Sequence, residues 1–135
     1  MSKTLSILNA VLIALLLSSC LEEDTNDLVD DRDAFLGSWN VTESCSKDSY
    51  SVQIVKDPSN SAQVLINNFW NTGNCGNPPY GIVAGSSIYL PQQEFCDGDL
   101  KLDGSGEMLK EQVDWSYSVN DGADLYNCDA TYVRP

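Results

Sequence analysis

Five cysteines and no histidine limit the chemistry open to this 135-residue chain. Without an imidazole, the commonest general base and metal ligand is missing, and a serine nucleophile lacks its usual activating partner. Cys45, Cys75, Cys96 and Cys128 are spaced by 30, 21 and 32 residues with no C-x-x-C pair, which argues against a zinc site. Asp97 and Asp99 are candidates for acid–base work, but they fall where Asp and Gly are expected for a turn. The segment DGDLKLDGSGE also suggests calcium through Asp97, Asp99 and Asp103. Against that, Lys101 takes an alternate position where an oxygen ligand belongs, and the required glycine is out of place. The expectation is a non-enzyme with no catalytic residue, no metal and no cofactor.

Cys20 differs from the other four by its surroundings. It follows a basic start at Lys3 and an apolar run from Ile7 to Leu17, and from Glu22 to Asp33 seven of twelve residues are acidic. The apolar run is too short to span a bilayer, which takes ~20 residues, and has the layout of a secretory signal peptide. Its end, Leu17-Ser18-Ser19-Cys20, resembles the lipobox of bacterial lipoproteins, in which a branched apolar residue and two small ones precede the cysteine. The resemblance implies a signal peptide over residues 1–19 and a diacylglycerol on the Cys20 thiol that anchors the protein to the membrane. Two or three acyl chains, at ~0.8 kcal/mol per buried methylene, hold a protein on a bilayer essentially permanently. Glu22, Glu23 and Asp24 resemble the signal that sends lipoproteins of some Gram-negative bacteria to the cell exterior, although Leu21 stands where Lys or Gln often precedes the acids. The implied location is the outer membrane, exposed at the cell surface. Residues 20–33 then read as an acidic, disordered tether.

The remaining residues, 34–135, hold all the aromatic side chains and suit one compact domain. They carry thirteen acids against five bases, so no nucleic-acid partner is expected. The four cysteines of this exported domain read as two disulfides made in an oxidising compartment, with three connectivities open. Along the domain, apolar residues alternate with polar ones and turn residues interrupt at short intervals, an all-β pattern. Strands are expected at residues 37–45, 50–56, 62–70, 80–84, 87–90, 99–102, 111–120 and 123–133. Turns are expected at Asp57–Asn60, Asn77–Pro79, Gly85-Ser86, Asp103–Gly106 and Asn120–Gly122. Eight short strands joined by tight turns suggest a small, disulfide-stapled up-and-down antiparallel barrel.

FLGSWNV at Phe35–Val41 resembles the Gly-x-Trp start of the first strand in lipocalins and related calycin barrels. In that family the Trp closes one end and an Arg of the last strand packs across it, which implies barrel-closing roles for Gly37, Trp39 and Arg134. The chain is shorter than full lipocalins and offers no C-terminal helix. If the first strand pairs with the last so that Trp39 faces Arg134, the same register sets Cys45 opposite Cys128 at a separation that suits a disulfide. Cys75 and Cys96 remain as the second pair, in loops at the same end of the barrel.

The side chains expected inside are large: Trp39, Tyr50, Val52, Ile54, Val64, Ile66, Ile82, Trp115, Tyr117 and Tyr132. Eight strands enclose either a core filled by side chains or room for one small ligand. Two functions stay open: a lipocalin-like carrier of a small hydrophobic or amphiphilic molecule, and an envelope interaction or inhibitor module that meets a surface protein through its rim loops. Trp70, Tyr80 and Phe95 are the candidate rim contacts, with capping of the core as their alternative role.

Overall fold

The computed structural model describes residues 28–135, so the signal segment, Cys20 and the first acids of the tether lie outside the described residues. The chain forms the expected closed antiparallel barrel, with each strand beside its sequence neighbours. The strands are β1 (Gly37–Glu43), β2 (Tyr50–Lys56), β3 (Gln63–Asn67), β4 (Tyr80–Ala84), β5 (Ser87–Phe95), β6 (Leu100–Leu109), β7 (Gln112–Asn120) and β8 (Leu125–Val133). Alternation builds the wall. In β1 the inward positions are Trp39, Val41 and Glu43, and in β7 they are Val113, Trp115, Tyr117 and Val119.

The seam between β1 and β8 pairs Asn40 with Val133, Val41 with Tyr132, Thr42 with Thr131 and Glu43 with Ala130. Continued by two residues, that offset brings Cys45 to Cys128, and the two are bonded with their Cα atoms 5.4 Å apart. The second bridge joins Cys75 to Cys96. Both bridges sit at one rim, formed by the loops β1–β2, β3–β4, β5–β6 and β7–β8.

The opposite end is closed. Phe35 is wholly buried, and the Trp39 indole N–H donates to the Phe35 carbonyl at 2.8 Å. The Arg134 guanidinium lies 3.6 Å above the Trp39 ring and donates to the carbonyls of Leu36 (2.6 Å) and Ala34 (3.0 Å). Gly37, at φ +102°, leaves room for it, since a side chain there would begin 3.1 Å from the Arg134 guanidinium.

Four expectations need correction. Residues 30–33 are not a disordered tether, because Asp31–Ala34 forms a 3-10 turn docked on the closed end. Arg32 makes the difference: it pairs with Asp30 and donates to the carbonyls of Asn60 and Gln63, while Lys56 bridges Asp30 and Asp33. The turn expected at Asp103–Gly106 lies inside β6, which runs on to a two-residue turn at Lys110-Glu111. Its glycines serve space rather than turning: side chains at Gly104 and Gly106 would strike the Ser116 carbonyl at 2.5 Å and the Trp115 ring at 2.7 Å. β5 does not end at Pro91, because a bulge between Leu90 and Gln93 absorbs the missing N–H and pairing resumes to Phe95. Ile82 points outward beside Gln63 and exposed Tyr89, while Gly81 and Val83 face inward, with Gly81 making room for Ile88.

Candidate functional site

Glu43 is the buried charged residue of the interior. It ends β1 in phase with Trp39 and Val41, so alternation carries its carboxylate inside, where it is 6 % exposed. Tyr117 on β7, one position from Trp115 along the inward face and opposite Cys128, donates its hydroxyl to that carboxylate. Tyr50 opens β2 opposite Val41, and Tyr132 on β8 faces Val41 from the other side. Three strands of the wall therefore aim phenols at one carboxylate.

The Tyr50 hydroxyl lies against the Glu43 carboxylate, the Tyr117 hydroxyl and the Trp70 backbone, whereas Tyr132 Oη and Trp115 Nε1 have no hydrogen-bond partner among the described residues. Their residues are 0 % and 3 % exposed. The Trp115 and Tyr132 rings lie 5.0 Å apart. A buried donor or acceptor without a partner costs ~1–3 kcal/mol, so the cluster is expensive as it stands. Burial, and then the Glu43 charge, raise the pKa of the Tyr50 hydroxyl well above that of a free phenol. Burial dominates at Tyr117 and Tyr132 as well, followed by the neighbouring Tyr50. All three hydroxyls are held protonated, available as donors and acceptors.

A short lid covers this cluster at the bridged rim. The 3-10 turn Phe69–Asn71 lowers the Phe69 ring into the barrel, 4.9 Å from Tyr117 and 5.7 Å, edge-on, from Phe95. Trp70 leans on Tyr126 at 5.3 Å. The lid backbone is strained: Asn68, Trp70 and Asn71 have φ of 61°, 55° and 55°. Asn tolerates the left-handed region, whereas for a bulky residue such as Trp it costs ~1–2 kcal/mol. The lid is held from the side, since Asn68 donates to the Ser51 carbonyl at 2.7 Å and accepts from the Gly73 N–H at 2.7 Å. Such strain gathers at ligand clamps and switch regions.

Of the candidate rim residues, Trp70 is half-buried on the lid and Tyr80 is half-buried at the head of β4, its backbone bonded to the Gln93 side chain. Phe95 is fully buried beneath Phe69, in the core-capping role. Gly37, Trp39 and Arg134 are at the far end, away from the cluster. Asp97 and Asp99 lie in the β5–β6 turn and Asp103 lies outward on β6, and among the described residues no group of three or more His, Cys, Asp or Glu is placed to hold a metal ion. A shallow groove of about 950 Å³ runs outside the closed end along Met108–Gln112, Val133 and Arg134, remote from the buried carboxylate. Glu43 itself escapes a reading of alternating apolar residues. The signal was its position, two residues after Val41 and four after Trp39, which puts an acid on the face reserved for the core.

Neither models of known protein families nor curated proteins match this chain.

Proposed function

We propose that this chain is a non-catalytic binding barrel, anchored to the outer membrane through a lipid on Cys20 and displayed at the cell surface, that takes an amphiphilic small molecule at the bridged rim. One observation carries the reading: a carboxylate and two unpartnered polar atoms are buried among aromatic rings beneath a strained lid. A barrel shaped only for stability gains nothing from that arrangement, because apolar side chains of similar volume would avoid the desolvation. The rings of Phe69, Tyr117 and Trp115 offer apolar contact, and the polar groups would fix orientation. The described chain enters at the closed end, so a tether running from there leaves the lid at the pole farthest from the membrane.

The test is a titration of the full oxidised chain with N-phenyl-1-naphthylamine, a neutral probe that brightens in apolar sites, followed together with tryptophan emission. Saturable binding of one probe per chain, weakened when Phe69→Trp blocks the interior, is the expected result. A second reading, a protein partner gripped by the rim loops, is favoured by the largest core side chains, Trp39, Tyr132, Phe35, Phe69 and Phe95, which are all fully buried. Absence of probe binding with both bridges intact would move the reading there. Cys20→Ser should free the folded protein from the envelope, and a variant that still sediments with membranes overturns the anchor.

A further inference from the structure

The binding-barrel reading leaves the ligand's chemistry open, and the cluster narrows it. We infer that the polar end of the ligand is a protonated organic amine, with Glu43 as its counter-ion and the Tyr132 hydroxyl as a further acceptor. This rests on the proposal that the interior is a binding site.

Glu43 is nine-tenths buried and has no basic neighbour: among the described residues the ion pairs are Arg32–Asp30, Lys56–Asp30 and Lys56–Asp33, all at the closed end. A buried carboxylate without a cation is costly, and a cation brought by the ligand removes that cost. An ammonium has three donors and no acceptor. Glu43 Oε1 and Oε2 together with the unpartnered Tyr132 Oη supply what it needs. The chain's net charge of −13 acts in the same direction, drawing cations and repelling fatty acids and other anions. A bare metal ion would want several hard oxygen ligands in one shell, and here a single carboxylate stands among rings. Trp115 Nε1 is a donor only, so it cannot face the ammonium; it calls for an oxygen acceptor elsewhere on the same ligand. The Phe69 ring, resting 4.9 Å from Tyr117, occupies the space that an aromatic or alkyl body would take when the lid lifts.

Three compounds built on one 4-hydroxyphenethyl frame isolate the charge: tyramine, 4-(2-hydroxyethyl)phenol and 3-(4-hydroxyphenyl)propionate, cationic, neutral and anionic. With the full oxidised chain, tryptophan emission and calorimetry should show tyramine binding once per chain, at least tenfold tighter than the neutral compound, with no binding of the anion. Glu43→Gln should lower tyramine affinity at least tenfold and leave the neutral compound unchanged. Should Glu43→Gln fail to fold, Tyr132→Phe provides the second variant, because it removes only an unpartnered hydroxyl; it should weaken tyramine several-fold without lowering the melting temperature. Equal affinity for the cationic and neutral compounds, or a preference for the anion, overturns the amine assignment while the binding barrel stands. If neither tyramine nor the neutral naphthylamine probe binds, both fall together.

Discussion

At the scale of single residues, Glu43 and the phenols around it govern how the barrel responds to base. Burial holds Tyr50, Tyr117 and Tyr132 protonated when folded, whereas in the unfolded chain each ionises near pH 10. Because the folded values are raised, the stability these groups contribute is fully present below about pH 10 and drains away as pH climbs above it. An alkaline titration followed by tyrosinate absorbance should therefore show these three ionising together with loss of the fold rather than ahead of it. Independent ionisation of all six tyrosines before unfolding would place the cluster in contact with solvent. Inward placement of the three phenols was legible from alternation alone. Their convergence on an acid was not, because an apolar-polar pattern scores Glu43 as an outward residue, whereas its phase with Trp39 and Val41 sends it in.

At the scale of elements, β6 shows where composition misleads. Asp103-Gly104-Ser105-Gly106 has the residues of a turn, yet it runs as strand because β7 presents Tyr117 and Trp115 inward at the facing positions. A glycine is the counterpart of a large ring across the ladder, and that pairing is invisible until the register is known. Gly104→Ala tests it. Alanine in a strand ordinarily gains over glycine by ~0.5–1 kcal/mol, but here the new Cβ would sit 2.5 Å from the Ser116 carbonyl and 2.6 Å from the Tyr117 Cα. Backbone cannot step aside as a rotamer can, so a net loss of ~1–3 kcal/mol is expected, read as a lower denaturant midpoint. A midpoint equal to or above that of the parent would mean that the β6–β7 pair yields more easily than its packing implies. The β1–β8 register, by contrast, was readable because two independent pairs of residues, Trp39 with Arg134 and Cys45 with Cys128, shared one offset.

At the scale of the whole molecule, the barrel has two unlike poles. Ion pairs and the Arg134–Trp39 stack fasten the closed pole, and bridges and strained backbone mark the other. Arg32, and then Lys56, hold the Asp30 carboxyl well below its ordinary range. A lowered value means that the stabilisation is present above about pH 4 and disappears as acid protonates the folded group. Asp30→Asn should accordingly lower the melting temperature at neutral pH, and the gap from the parent should begin to narrow as pH falls below about 4, keep shrinking with further acid, and shrink in high salt. A gap that persists in acid would assign the effect to packing instead of charge. The bond between Cys45 and Cys128 has a consequence at this scale too. It joins positions 83 residues apart, closing a covalent ring that takes in β2 to β7, six of the eight strands. A protease that nicks any one of the hairpins or loops between them would therefore release no fragment: both pieces stay attached through sulfur, and the barrel survives the cut as a single particle.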